Sequence, residues 1–282
     1  MKKNIIVIGG GIIGLSVAFK YQKKFPNHKV VVLEKENKIG QHQSGRNSGV
    51  LHCGLYYKPG SLKAKLAVNG IKEMTDFCKK NQIDHEICGK VVVATNENEV
   101  KTLENLAIRG GLNGLKNLKF LNKNELAKRE PHVYAKKALL VPEEGIVDFK
   151  AVQLKLKDLI IENGGKIIQN QRVTGLASEN ILKTNKDEYL FDLIFNCSGL
   201  HTDRVFENLT GLKPKIKIIP FRGEYFKFKN NFKNLVNHLI YPVPDPKFPF
   251  LGVHFTRMIN GDREVGPNSV LAFKREGYKN TD

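Results

Sequence analysis

The chain has 282 residues, of which 41% are hydrophobic and 26% charged. That profile belongs to a globular protein with enough length for about two domains, and it excludes a disordered tail, a collagen-like fibre and a small disulfide-stapled scaffold. Lys and Arg outnumber Asp and Glu by 46 to 28, a formal charge of +18, yet 37 of those cations are Lys and only 9 are Arg. The lysines are scattered in ones and twos, so no nucleic-acid partner is expected, and peripheral contact with an anionic membrane surface is the reading left for the surplus.

Asn4 to Ile8 is a short β-branched run and reads as a strand. Gly9-Gly10-Gly11 makes a turn, Ile12 to Phe25 carries a helical apolar face, and Pro26-Asn27 stops it. Val30 to Leu33 is continuous in apolar character, as a parallel strand covered on both faces should be. The same N-terminus, with two lysines, an apolar stretch and the small-x-small triplet Ser16-Val17-Ala18, has the outline of a secretory signal. Three consecutive glycines disfavour that apolar helix, and a strand follows directly, so strand–turn–helix–strand is preferred.

A polar, glycine-rich loop runs from Gly40 to Gly60, longer than an ordinary connection and so a candidate functional segment. Helices are expected over Ser61 to Asn81, Glu97 to Arg109, from Glu125 up to Pro131, and after Asp148 with Val152, Leu156 and Leu159 facing inward. Strands are expected at Val91–Thr95, Leu139–Val141, Lys166–Ile168, Arg172–Leu176 and Leu190–Cys197, with a short helix near Asp203. From Lys215 the pattern turns to alternating strands at Ile216–Ile219, Glu224–Phe228, His238–Tyr241 and Leu251–Thr256, with a loop at Pro242–Pro246.

Gly9-x-Gly11-x-x-Gly14 follows a strand and opens a helix, and Glu34 ends the next strand 20 residues beyond Gly14. Gly9 permits the tight turn, Gly11 admits a pyrophosphate, and Gly14 lets helix and strand pack closely. The N–H groups at the helix start, at Ile12 and Ile13, receive the phosphate charge. Glu34, with Lys35 beside it, can accept ribose hydroxyls and would repel a 2′-phosphate. The motif alone leaves FAD and NAD both open. Cys53, Cys78, Cys88 and Cys197 form no CxxC pair or ligand spacing, so no metal is expected and the chain reads as a reduced, cytoplasmic protein. No apolar run reaches the length of a spanning helix.

The segment GQHQSGRNSGVLHCGLYY, Gly40 to Tyr57, resembles the loop by which FAD-dependent oxidoreductases of the D-amino-acid oxidase superfamily hold the flavin. Within that superfamily the run Ser44 to Gly70 is similar to the L-2-hydroxyglutarate oxidase/dehydrogenase family. FNCSGLHTDRV (Phe195–Val205), IIPFRGEY (Ile218–Tyr225) and LGVHFT…VGPNSVLAFKREGY (Leu251–Tyr278) extend the resemblance through nearly the whole chain, in family order.

The resemblance implies an α/β fold: a Rossmann-like FAD-binding domain (1–80 and 148–213) interleaved with a mainly antiparallel α+β substrate domain (81–147 and 214–282). It implies FAD as cofactor, with Ser44, Gly45, Arg46, Asn47, Ser48 and Gly49 around pyrophosphate and flavin, Val173 near the adenine, and Cys197, Ser198 and Gly199 against the flavin. It implies oxidation of L-2-hydroxyglutarate to 2-oxoglutarate, the α-hydrogen leaving as hydride to flavin N5 while a base takes the hydroxyl proton.

His52 and His254 are the candidate bases, since a base should titrate near neutrality. A covalent flavin link is the alternative for His52. Arg222 and Arg257 are candidates for the substrate carboxylates, and Tyr57 and Tyr225 for hydroxyl donors or ring walls. Oxygen or a membrane quinone, reached from the inner face of the cell membrane, is the expected electron acceptor. The rival readings are a glycerol-3-phosphate or malate:quinone oxidoreductase of the same superfamily, an inactive flavin-binding remnant, and, less well supported by the long loop, an NAD-dependent dehydrogenase. Family members are longer, so the chain is expected to lack the final strand and helix that return to the FAD domain.

Overall fold

The computed structural model describes residues 2–245, 247, 252–279 and 281–282. The chain forms two compact units: Met1–Asn47 with Phe149–Phe221 and Leu271–Asp282, and Ser48–Asp148 with Arg222–Val270. Residues 48–80 thus pack with the second unit, and 214–221 and 271–282 with the first, where the sequence reading assigned them the other way. The short strand Val50–Leu51 explains the first difference, because it pairs with Gly145–Val147 inside the second unit. Leu55 and Val68 then join that unit's apolar core.

The first unit is built on a four-stranded parallel sheet in the order Leu193–Asn196, Asn4–Ile8, Lys29–Leu33, Lys166–Ile168. Ile5 and Val7 are fully buried. Along a strand, side chains alternate faces. Ile6 and Ile8 face a cluster with Leu33, Val173, Leu182 and Val205. The helices Ile12–Lys24 and Phe149–Glu162 pack on each other. The antiparallel strands Val173–Ser178, Ile181–Thr184 and Glu188–Leu190 and the helix Thr202–Thr210 complete the unit. The chain leaves Asn4–Ile8 toward Lys29–Leu33 on one side, while Leu193–Asn196 lies on the other. Strand order therefore reverses beside Asn4–Ile8, and a crevice beyond the carboxyl ends of these strands is where such sheets bind ligands.

The second unit carries a seven-stranded sheet in the order Phe221–Lys227, Arg263–Leu271, His254–Arg257, Leu239–Pro242, Lys90–Ala94, Lys137–Val141, Lys119–Leu121. Leu239–Pro242 runs parallel to Lys90–Ala94, while Lys137–Val141 pairs antiparallel with both of its neighbours. Val92, Ala94, Leu139 and Val141 face Cys53, Leu55, Leu103 and Leu106. The helices Leu62–Lys80, Glu97–Leu112 and Lys123–Arg129 begin where the side chains of Ser61, Asn96 and Asn122 accept N–H groups of the first turn, each cap contributing about 1 kcal/mol.

Several local expectations change. Ile216–Ile219 is not a strand; Ile216 and Ile219 are exposed, and the Ile218 N–H donates to the Asp203 carboxylate at 3.1 Å. Leu190–Cys197 divides at Phe191-Asp192, where Asn4 and Asp192 exchange hydrogen bonds, so its halves serve different sheets. The helix from Glu97 runs beyond Arg109 to Leu112, and at Gly110 within it the missing Cβ makes room for Leu118 and Leu55. Leu251 and Pro246, assigned above to a strand and a loop, lie outside the described residues. Among the described residues no helix is long and apolar enough to cross a membrane.

Candidate functional site

At the switch point of the first unit lies a cavity of about 320 Å³, lined by Gly9, Gly11, Ile13, Glu34, Lys35, Ser44, Val173, Cys197, Ser198 and Gly199 among others. The turn glycines are required by their neighbours. A Cβ on Gly14 would stand 1.9 Å from the Gly9 carbonyl oxygen, and one on Gly9 would stand 2.4 Å from that of Cys197. Gly9 also has φ +109°, a conformation costly for any residue with a side chain. Gly14 therefore brings the helix onto the strand rather than lining the cavity itself.

Ser44 Oγ accepts the Ile12 N–H at 2.9 Å, which pins the long loop to the start of the helix. Its carbonyl is held by the Gln153 side-chain amide at 2.8 Å. Glu34 is 6% exposed, and its carboxylate accepts the Gly10 N–H at 2.7 Å and the Glu36 N–H at 2.9 Å. A carboxylate offers about four acceptor positions, so two remain. The first turn of a helix also leaves N–H groups without intrahelical partners, next to a positive dipole end.

The remaining loop residues do not form one wrap. Gly45 makes the tight turn, since a Cβ there would lie 2.2 Å from the Gly40 carbonyl oxygen. Arg46 turns away from the cavity: its Nε donates to the Gln41 carbonyl at 3.1 Å and its guanidinium lies 4.2 Å from the Tyr278 ring centre. With Gly45, Lys38 and Lys150 it lines a second hollow of about 490 Å³. Asn47 braces the loop through the Gln43 and Ser44 carbonyls. Ser48 and Gly49 belong to the other unit, where the Gly49 carbonyl accepts the Val147 N–H at 2.8 Å.

Sequence reading missed Gln43, Arg172, His201, Arg204 and Asn208 on the cavity wall. It also missed the ion-pair network beside it. Lys35 pairs with Glu36 and, at 2.6 Å, with Glu276, whose carboxylate also meets His201 Nε2 at 2.6 Å. Burial would raise the Glu276 carboxyl, but Lys35 and His201 hold it at about 2. Burial lowers His201, partly offset by Glu276. Ligand atoms of Glu36, His42 and Glu276 lie within 4.8 Å of one another. The Lys35 ammonium already bonds both carboxylates, so the group is an ion-pair cluster with a resident cation.

The second unit holds a polar cluster inside its core. Lys90 and Glu144 are fully buried and paired at 2.8 Å. Burial would raise Glu144, but Lys90 and His52 bring it down to about 2. Burial works against a charged Lys90 as well, and Glu144 reverses that and raises it. The Lys90 ammonium lies 4.4 Å from the Tyr56 ring centre and 4.9 Å from that of Tyr241. His52, with a 37% exposed side chain, contacts Glu144 Oε2 through Nδ1 at 3.1 Å. The His254 ring stacks on Tyr241 at 3.9 Å, and its Nδ1 bonds the Gly252 carbonyl at 2.9 Å. Burial pushes His254 down to about 4.

The structure thus separates the two candidate bases. His254 is a buried, neutral ring wall, while His52 presents an edge to solvent. Arg257 is paired with Glu86 through both terminal nitrogens, and Arg222 with Glu224 at 2.8 Å. Tyr57 and Tyr225 are exposed. Lys90 and Glu144 carried little sequence signal, because a charged residue bounding a strand reads by default as exposed.

A parallel sheet with a glycine turn, a capping acid and a cavity at its switch point defines a dinucleotide-binding protein of the Rossmann type. The chain belongs to the FAD dependent oxidoreductase family, whose model matches residues 4–281. It is 48% identical to an L-2-hydroxyglutarate dehydrogenase of Indibacter alkaliphilus, over 99% of this chain and 71% of that protein. It is 44% identical to the L-2-hydroxyglutarate dehydrogenase of Escherichia coli K12, over 99% and 67%, and 40% identical to the human mitochondrial one, over 99% and 63%. An FAD-bound L-alpha-glycerophosphate oxidase from Mycoplasma pneumoniae shares the fold, with TM-score 0.83 and 24% identity over 98% of this chain and 73% of that one.

The cofactor is FAD, and the cavity fits its adenosine diphosphate end. At the helix start the Ile12 N–H, expected to meet phosphate, is taken by Ser44 Oγ, while Ile13 stands on the cavity wall where its N–H suits pyrophosphate; the remaining acceptor positions of Glu34 suit ribose hydroxyls, and Val173 offers an apolar wall.

Proposed function

We propose that this chain catalyses the FAD-dependent oxidation of L-2-hydroxyglutarate to 2-oxoglutarate. The observation that carries the reading is the 40–48% identity to dehydrogenases of that name, sustained over 99% of the chain. His52, held by a buried carboxylate with one ring edge open, supplies a group able to take a proton.

Gly9, Gly11, Glu34, Ser44, Val173, Ser198 and Gly199, which line the cavity, would hold the cofactor, with Lys35 at its rim. FAD, when bound, accepts the two electrons and the α-hydrogen of the substrate. His52 takes the hydroxyl proton at Nε2, so the C–O bond becomes a carbonyl as the α C–H bond breaks. His254 serves as packing behind Tyr241, since a ring held neutral down to a pH of about 4 is a weak base at neutrality. Arg222, Arg257, Tyr57 and Tyr225 are the groups offered to the substrate carboxylates. The two arginines would share their guanidinium with Glu224 and Glu86. Electrons leave to oxygen or a membrane quinone, and the +18 charge supports contact with an anionic surface.

Substrate profiling with an artificial electron acceptor tests this. L-2-hydroxyglutarate should be turned over in preference to its D isomer, malate and glycerol-3-phosphate. Turnover of glycerol-3-phosphate or malate in its place would transfer the chain to another activity of the same flavin superfamily.

A further inference from the structure

Lys90 has no part in the chemistry described so far, and Glu144 enters it only as the carboxylate beside His52, yet both are 0% exposed. Burying an ion pair is rarely favourable in itself, so the arrangement around it matters. Glu144 Oε1 accepts the Lys90 ammonium at 2.8 Å, the Cys53 N–H at 3.3 Å and the Cys53 thiol at 3.3 Å. Its other oxygen, Oε2, faces His52 Nδ1 at 3.1 Å. An ionised carboxylate can only accept. The hydrogen between them therefore belongs to His52 Nδ1, and a neutral imidazole then has a bare, accepting Nε2.

We propose that Glu144 is a positioning residue, clamped by Lys90, that fixes His52 in the Nδ1–H tautomer and so leaves Nε2 able to accept the substrate's hydroxyl proton. This rests on the functional reading for its purpose, though not for its geometry. Lys90 has two effects. It keeps Glu144 ionised, so Glu144 does not donate to His52. It also occupies Oε1 together with Cys53, so Oε2 is the oxygen that remains for His52. The rings of Tyr56 and Tyr241 lie against the ammonium, at 4.4 and 4.9 Å to their centres.

The clamp makes E144Q an informative change. The new side chain is nearly isosteric but has one acceptor oxygen and one NH₂. Lys90 and Cys53 are donors and claim the oxygen. The NH₂ must then face His52 Nδ1, which has to accept. The proton then sits on Nε2, the Nε2–H tautomer, in which Nε2 can no longer take a proton. A triad-type base held in the wrong tautomer loses up to about 10⁴-fold in turnover.

The test is ¹⁵N NMR of the histidine-labelled holoenzyme, with H52N identifying the His52 signals. The parent should show Nδ1 protonated and Nε2 bare, and E144Q the reverse. In steady state E144Q should lose at least about a hundredfold in kcat with KM changed by no more than about threefold, a split that general loosening of the fold does not produce. A parent spectrum with Nε2 protonated overturns the assignment, as does an E144Q enzyme that keeps Nδ1–H and the parent kcat. Should E144Q fail to fold, the parent spectrum alone decides. The tautomer is read without substrate, so failure of the substrate assignment would appear separately, in the turnover profile.

Discussion

Gly14→Ala tests whether the opening turn is held as tightly as its geometry says. The added Cβ would stand 1.9 Å from the Gly9 carbonyl oxygen and 3.4 Å from Cys197 Cβ, where ordinary contact begins at 3.4 Å. The helix start must therefore retreat by about 1.5 Å from the turn. The group struck is backbone: Gly9 directly follows the strand Asn4–Ile8, and its carbonyl cannot swing aside as a flexible side chain would. Overpacking of this kind costs about 1–3 kcal/mol. For a chain of this size that corresponds to a Tm lower by roughly 2–5 °C. The retreat also moves the first-turn N–H groups away from the cavity, so a comparable free energy should be lost in FAD binding, about tenfold to a hundredfold in Kd. Thermal unfolding with and without FAD, together with titration of the apoprotein followed at 450 nm, reads both quantities. A G14A protein with the parent's Tm and FAD affinity would refute the close helix–strand contact on which the site is built.

Lys90→Met should destabilise the protein by about 3–5 kcal/mol, because it leaves the Glu144 carboxylate buried without its cation. Urea unfolding should then find the double variant K90M/E144M closer to the parent than K90M is, the reverse of additive loss. Ser44→Ala removes the hydroxyl that accepts the Ile12 N–H and should lower stability by about 1 kcal/mol, measurable in the same way. His254 sets a pH window. Its folded pKa of about 4 lies below the unfolded value near 6.5, so the unfolded state takes up the proton first as pH falls. Stability is thus fully present above pH ~6.5 and declines toward pH ~4, by about 3 kcal/mol. H254F should flatten urea stability measured across that interval; an unchanged slope would contradict the buried neutral ring.

The turn from Gly9 to Gly14 and the acid at Glu34 were legible because backbone geometry leaves few alternatives there. Glycine is needed where a Cβ would strike Gly9 or Cys197, and that need is visible in one sequence. Long-range placement was not. Val50–Leu51 is too short to announce a strand, yet its pairing with Gly145–Val147 draws 48–80 into the second unit. Ile216–Ile219 has the alternation of a strand but forms none, and Ile218 instead bonds the Asp203 carboxylate. His52 was selected by residue type, but its partner Glu144 lies 92 positions away, and no local pattern marks either Glu144 or Lys90 as buried. Arg46 was read from the motif as a cation on the cofactor, and in the structure its guanidinium lies on Tyr278, a contact 232 positions away that no local pattern announces.

The most direct test is anaerobic mixing of the FAD-loaded protein with each enantiomer of 2-hydroxyglutarate. The 450 nm band should bleach with the L isomer and persist with the D isomer. A band that survives both, in protein shown to carry one FAD per chain, would contradict the central claim that this chain oxidises an L-2-hydroxy acid on its own flavin.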